Sequence, residues 1–128
     1  MAVTKPNLGL IGLGTMGAAL ALNIAEKGFP IAVWNRTTSV THAFKAGAGP
    51  LADSITPTDT LADLVAAMAA PRAIVLMVPA GPAVDDMLAA LAPLLSADDL
   101  VIDAGNANLH DTNRRTAQGL PFRFMGIG

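Results

Sequence analysis

The 128-residue sequence contains no cysteine. That single absence excludes disulfide scaffolds, cysteine-ligated zinc sites, thiolate nucleophiles and redox dithiols, and it is compatible with a reducing, cytoplasmic setting. A surplus of positive charge is missing too. Eight Lys and Arg stand against ten Asp and Glu, a formal net charge of −2, whereas holding a nucleic-acid backbone needs a clear basic excess. No apolar run reaches the ~20 residues that cross a bilayer; the richest stretch, Leu8 to Ala25, is broken by Gly9, Gly12, Gly14, Gly17 and Asn23. The start does not read as a secretory leader, since Lys5 and Pro6 precede a glycine-rich turn rather than a small-residue cleavage site. Neither nucleic acid nor membrane is expected as a partner. His42 and His110 share no ligand spacing with another His or Cys, so no metal site is expected. A Ser-His-Asp set is likewise not legible.

What the sequence does hold is apolar: 52% hydrophobic against 14% charged residues, which excludes a disordered chain. At this length residues 1–128 make one domain, able to bury roughly two thirds of the unfolded surface. Short, nearly continuous apolar runs occur at Leu8–Ile11, Ile31–Trp34, Ile74–Val78 and Leu100–Ile102. Runs without alternation suit strands covered on both faces. Between them come helical spacings: Met16, Leu20 and Ile24; Leu61, Leu64, Val65 and Met68; Val84, Met87, Leu88 and Leu91. Thr60 with Asp63 forms a capping-box-like start, and Pro82 suits a first helical residue. Gly28, Gly47 and Gly119 stand where a helix wants a left-handed end. Strand and helix alternate from Asn7 to about Met125, with Phe122–Met125 a further strand. The expected fold class is α/β, a doubly wound parallel sheet of about six strands with helices on both faces.

The first strand runs into Gly12-Leu13-Gly14-Thr15-Met16-Gly17, a G-x-G-x-x-G element opening a helix. Gly12 permits the tight turn, Gly14 lets a pyrophosphate approach the backbone, and Gly17 brings helix and strand close. The amides around Thr15 to Gly17 and the positive helix end would receive the anion. Met16 itself reads as a core residue. The loop lacks the Gly-Lys-Ser/Thr ending of an ATP-binding P-loop. At the end of the second strand, Asn35-Arg36-Thr37 offers no carboxylate for a ribose 2′-hydroxyl; Arg36 can pair with a 2′-phosphate, and Asn35 and Thr37 can donate hydrogen bonds. This trio favours NADP, with NAD left open.

With these residues, the segment Ala80-Gly81-Pro82-Ala83-Val84-Asp85-Asp86, then Asp103-Ala104-Gly105-Asn106 and Asp111-Thr112-Asn113-Arg114-Arg115, the chain resembles the coenzyme-binding domain of the decarboxylating 6-phosphogluconate dehydrogenases. The glycine loop alone would also suit other β-hydroxyacid dehydrogenases such as 3-hydroxyisobutyrate dehydrogenase. The resemblance implies a Rossmann-type domain that binds NADP, with pyrophosphate at Gly12, Leu13, Gly14, Thr15, Met16 and Gly17 and the 2′-phosphate at Asn35, Arg36 and Thr37. It further implies coenzyme contacts at Val78, Pro79 and Ala80, and an Asn106 close to both nicotinamide and a sugar-acid phosphate. The implied family reaction is oxidative decarboxylation of 6-phosphogluconate to ribulose 5-phosphate, with NADPH formed, in the pentose phosphate pathway. The family is homodimeric, and its catalytic lysine and glutamate lie in a helical domain expected beyond Gly128. No catalytic residue is therefore assigned here, and uncovered apolar surface would favour self-association. A stand-alone nucleotide-binding module is the alternative.

Three positions depart from the family pattern. Pro79 and Val40 stand where lysines are usual, which leaves Arg36 as the main charge for a 2′-phosphate, and Ala104 replaces a glycine beside Asn106. Among the other charged residues, Asp85-Asp86 read as complements to the positive end of a helix. Asp98-Asp99 read as a polar turn before a strand, Arg114-Arg115 as a solvated helix face, and the two histidines as ordinary helix-start or surface residues.

Overall fold

The computed structural model describes residues 5–79, 81–105, 114 and 119–127. Its elements run in chain order: β1 Leu8–Ile11, α1 Thr15–Glu26, β2 Ile31–Trp34, α2 Thr38–Ala46, a 3-10 turn Gly49–Ser54, β3 Ile55–Pro57, α3 Leu61–Ala66, β4 Ala73–Leu76, α4 Pro82–Leu91, β5 Leu100–Asp103 and β6 Arg123–Gly126. All six strands pair in parallel in the order β3-β2-β1-β4-β5-β6. The chain first winds outward from β1 to β3, then crosses back to β4 on the other side of β1. The crevice at such a reversal, beyond the carboxyl ends of the strands, is where open α/β sheets take ligands.

Successive strand residues point to opposite faces, and here both faces are covered. Leu10, Ile31, Val33 and Ile55 bury against Ala21 and Ala25 of α1. Ile11, Ala32, Ile74, Leu76 and Val101 bury against Leu64 and Val65 of α3 and Val84, Leu88 and Leu91 of α4. This is the physical origin of the continuous apolar runs. No helix among the described residues is long and apolar enough to cross a membrane.

Several expectations shift. The stripe of α1 that faces the sheet is Gly17, Ala21 and Ala25, so Leu20 and Ile24 are only partly buried and Met16, expected in the core, is 73% exposed. Small residues let this helix lie close to β1, and the larger side chains on the neighbouring stripe turn outward. β3 escaped the sequence reading because it has three residues and ends in Pro57; as an edge strand paired only with β2 it tolerates a proline. β4 stops at Leu76; the Met77 amide still donates to the Ile11 carbonyl at 2.8 Å, and Val78 lies beyond the strand as the chain approaches Pro79. The last strand begins at Arg123 rather than Phe122, whose side chain is buried. Gly28 and Gly119 take positive φ, but Gly47 ends α2 at φ −87°, with Gly49 adopting the left-handed turn instead. Thr60 caps α3 through a 3.0 Å bond from the Asp63 amide, and Pro82 opens α4, both as expected.

Candidate functional site

A cleft of about 470 Å³ lies over the reversal point of the sheet. Ile11, Gly12 and Gly14 line it from the end of β1, and Trp34, Asn35 and Arg36 from the end of β2. Met77, Val78 and Pro79 line it after β4, and Ala83, Asp86 and Met87 from α4.

The glycine loop is built by three different constraints. Gly12 has φ 103°, and a Cβ there would run into the carbonyl oxygen of Met77. A Cβ at Gly17 would strike the carbonyl of Gly12, so the helix could not approach the strand. At Gly14 neither reason applies: its φ is −67° and a Cβ would meet no atom of the described residues within 4 Å. Ala18 donates to the Gly14 carbonyl at 2.8 Å as α1 begins. The amides of Thr15, Met16 and Gly17 therefore precede the intrahelical ladder. No side chain caps this end, and no acidic residue occupies its first turn. The result is an electropositive backbone edge beside open space.

The end of β2 is tied to this loop. Gly12 N–H donates to the Trp34 carbonyl at 3.0 Å, and Leu13 N–H donates to Asn35 Oδ1 at 2.8 Å. Asn35 Nδ2 donates to the Thr37 carbonyl at 3.3 Å, and the Asn35 amide donates to the fully buried hydroxyl of Thr41 at 3.1 Å. Arg36, by contrast, is exposed on the cleft wall, and no hydrogen bond or ion pair engages its guanidinium among the described residues. Outside this wall Trp34 Nε1 donates to the Asp59 carbonyl at 3.2 Å, and His42 Nε2 lies 2.6 Å from Asp59 Oδ1.

Six of the residues singled out from the sequence thus meet in one cleft: Gly12, Gly14, Asn35, Arg36, Val78 and Pro79. Leu13 is buried beneath the loop, Gly17 is packed against it, Thr15 and Met16 are exposed at the start of α1, and Thr37 opens α2. Ala80 and Asn106 lie outside the described residues. Sequence reasoning passed over the wall formed by α4. Ala83, Asp86 and Met87 fall on one helical face at i, i+3 and i+4, next to the core stripe of Val84, Leu88 and Leu91, and that spacing was the available signal. Asp86 is a carboxylate in the cleft rather than a complement to the helix end alone. Its neighbour Asp85 accepts from Arg114 at 3.1 Å on both oxygens, so Arg114 is anchored to α4 rather than merely solvated. No group of three or more metal-ligating side chains occurs among the described residues.

Residues 7–126 match the family model for the NAD binding domain of 6-phosphogluconate dehydrogenase. The chain is 45% identical over 124 residues to the decarboxylating 6-phosphogluconate dehydrogenase of Treponema pallidum, covering 95% of this chain and 25% of that protein. It is 46% identical over 122 residues to the enzyme of the same name from Synechococcus elongatus, covering 94% and 26%. A structure of Plasmodium falciparum 6-phosphogluconate dehydrogenase, solved in its apo form, with its cofactor NADP+ and with its substrate 6-phosphogluconate, superposes with a TM-score of 0.84 at 33% identity over 93% of this chain and 26% of that one. The chain spans about a quarter of the length of the curated relatives it matches. The match runs through the glycine loop, the end of β2 and the wall of α4 alike, and on that extent the chain belongs to the family of NAD binding domains of 6-phosphogluconate dehydrogenase.

Proposed function

We propose that this chain seats NADP across the cleft, as the coenzyme-binding domain of a decarboxylating 6-phosphogluconate dehydrogenase. Gly14 carries the reading. Nothing among the described residues requires a glycine there, so the missing Cβ is explained by a group that comes from outside and must touch the backbone. The cleft fits a dinucleotide on that ground. The amides of Thr15 to Gly17 would take the pyrophosphate and Arg36 the 2′-phosphate, with Thr37 beside it. The absence of a carboxylate at the end of β2 supports the phosphorylated coenzyme, since a carboxylate would repel it.

Val78, Pro79 and Ala80 would run along the coenzyme, and Asn106 would stand near the nicotinamide and the sugar-acid phosphate. When bound, NADP supplies a hydride acceptor. The part of this chain is to hold and orient it. Proton transfer and decarboxylation fall to residues of the family's helical domain, in a homodimer working in the cytoplasm. Titration of NADP and NAD, followed by the fluorescence of Trp34 in the cleft wall, tests the reading. Arg36→Ala is expected to weaken NADP by roughly 1.5–3 kcal/mol and to leave NAD nearly unchanged. Equal losses for both coenzymes, or no binding by the unmodified chain, would remove it. The 128-residue chain alone is expected to bind NADP without turning over 6-phosphogluconate, which a coupled assay checks.

A further inference from the structure

β1 and β2 part company at the mouth of the cleft, yet their ladder gains one more rung. The last backbone rung is Gly12 N–H to the Trp34 carbonyl at 3.0 Å. The next is made by a side chain, as Leu13 N–H donates to Asn35 Oδ1 at 2.8 Å. Asn35 is itself held at two further points, by its amide on the buried Thr41 hydroxyl and by Nδ2 on the Thr37 carbonyl. The carboxamide oxygen is thereby committed to the glycine loop, and one of the two amide hydrogens to the start of α2. A single chain of contacts from Thr41 through Asn35 to Leu13 fixes the helix-end amides relative to the backbone that carries Arg36.

We propose that Asn35 is a positioning residue, a strut that sets the glycine loop for either coenzyme, and that its neutrality leaves the choice between coenzymes to Arg36. The proposal rests on the NADP-binding reading above but assigns Asn35 a different duty from that of a phosphate ligand. A ligand of the 2′-phosphate matters only for NADP. A strut matters for NADP and NAD alike, because both share the pyrophosphate seated by the loop. The Asp side chain offers a discriminating replacement: it keeps an acceptor for Leu13 N–H and adds a negative charge at the rim.

Asn35→Ala is expected to weaken NADP and NAD by the same factor, roughly tenfold, through loss of the loop contact. Asn35→Asp is expected to restore NAD to within about threefold of the unmodified chain, while NADP stays weaker by roughly a hundredfold from like-charge repulsion. An Ala variant that loses NADP affinity and keeps NAD affinity would overturn the proposal, as would an Asp variant that fails to recover NAD. Amide hydrogen exchange decides the matter even if a variant folds poorly. In the unmodified, coenzyme-free chain the Leu13 amide should be protected although it lies beyond the end of β1, and rapid exchange there would refute the strut. A chain that bound neither coenzyme yet protected Leu13 would sink the functional reading and leave the strut standing.

Discussion

The two ends of the sheet treat their polar groups in opposite ways. At the amino ends of β4 and β5, Asp99 is fully buried and gathers donors from its surroundings. The Arg72 amide donates at 2.8 Å, the Ser96 amide at 2.9 Å, and the Ser96 hydroxyl and Arg72 guanidinium at 3.2 Å each. Burial alone pushes the Asp99 carboxyl up, but the hydrogen bonds from the Ser96 and Arg72 amides and the Ser96 hydroxyl, with the Arg72 charge, outweigh it and hold the group below its ordinary 3.8. At the carboxyl ends, the amides of Thr15 to Gly17 and the guanidinium of Arg36 stand at or beside an open cleft instead. One end satisfies its polar groups internally and so contributes to stability. The other holds donors in place for something outside, and there the rigid scaffold serves binding.

Removing the hub at the closed end should give the largest effect. Asp99→Ala removes the acceptor of the part-buried Arg72 and Ser96 amides and of Arg72 Nη1, leaving the guanidinium only its Nε bond to the Val65 carbonyl. Unfolding free energy should therefore fall by about 3 kcal/mol in denaturant titrations, with NADP affinity unchanged in the folded fraction. The same contact predicts an acid response. Because the folded value lies below the unfolded one, the contribution of Asp99 is fully present above the ordinary 3.8 and is lost as pH falls through the lower folded value. Asp99→Asn should flatten that part of the stability profile, and an unaltered acid limb would break the contrast between the two ends.

The open end should answer in the reverse sense. Gly14→Ala places a methyl group where no atom of the described residues is within 4 Å. It should shift stability by less than about 1 kcal/mol, the scale of an N-cap change, yet weaken NADP roughly tenfold or more by blocking the backbone approach that a glycine at this position permits. Equal binding by the variant would show that the open space above Gly14 serves no ligand. The smallest effect belongs to the α4 wall. Asp85→Asn removes the charge opposite Arg114, a pair whose side chains are 35% and 52% exposed, and calorimetry should register about 0.5 kcal/mol. A larger loss would mean that the segment around Arg114 contributes to the fold as firmly as the closed end does.

How much of this was legible in the sequence depends on how local the cause is. The four apolar runs announced β1, β2, β4 and β5 because strands buried on both faces show no alternation. The spacing of Gly12, Gly14 and Gly17 marked a glycine loop between a strand and a helix, because the pattern itself is local, even though the Met77 carbonyl that Gly12 must clear lies 65 positions away. β3 stayed hidden, since three residues ending in Pro57 carry too little signal. The burial of Asp99 was hidden for another reason: Asp98-Asp99 looks like any polar turn, and only the approach of Arg72, 27 positions away, makes the second carboxylate a hub. Met16 was misplaced because periodicity finds an apolar stripe but does not say which stripe meets the sheet when alanines and a glycine compete for that face.

By itself the sequence determined that the chain forms a cysteine-free α/β domain with a glycine-rich loop between its first strand and helix and a cationic, carboxylate-free end to β2. These follow from residue chemistry and short-range spacing, which survive without knowledge of the fold. Only the tertiary structure decided that Asn35 reaches back to the loop, that α4 supplies Ala83, Asp86 and Met87 to the cleft, and that the reversal between β1 and β4 opens where Arg36 waits. Those relations join residues as far apart as Leu13 and Asn35, 22 positions, and Gly12 and Met87, 75 positions. Their distances are set by strand order and register, which come from the packing of the whole sheet rather than from any one segment.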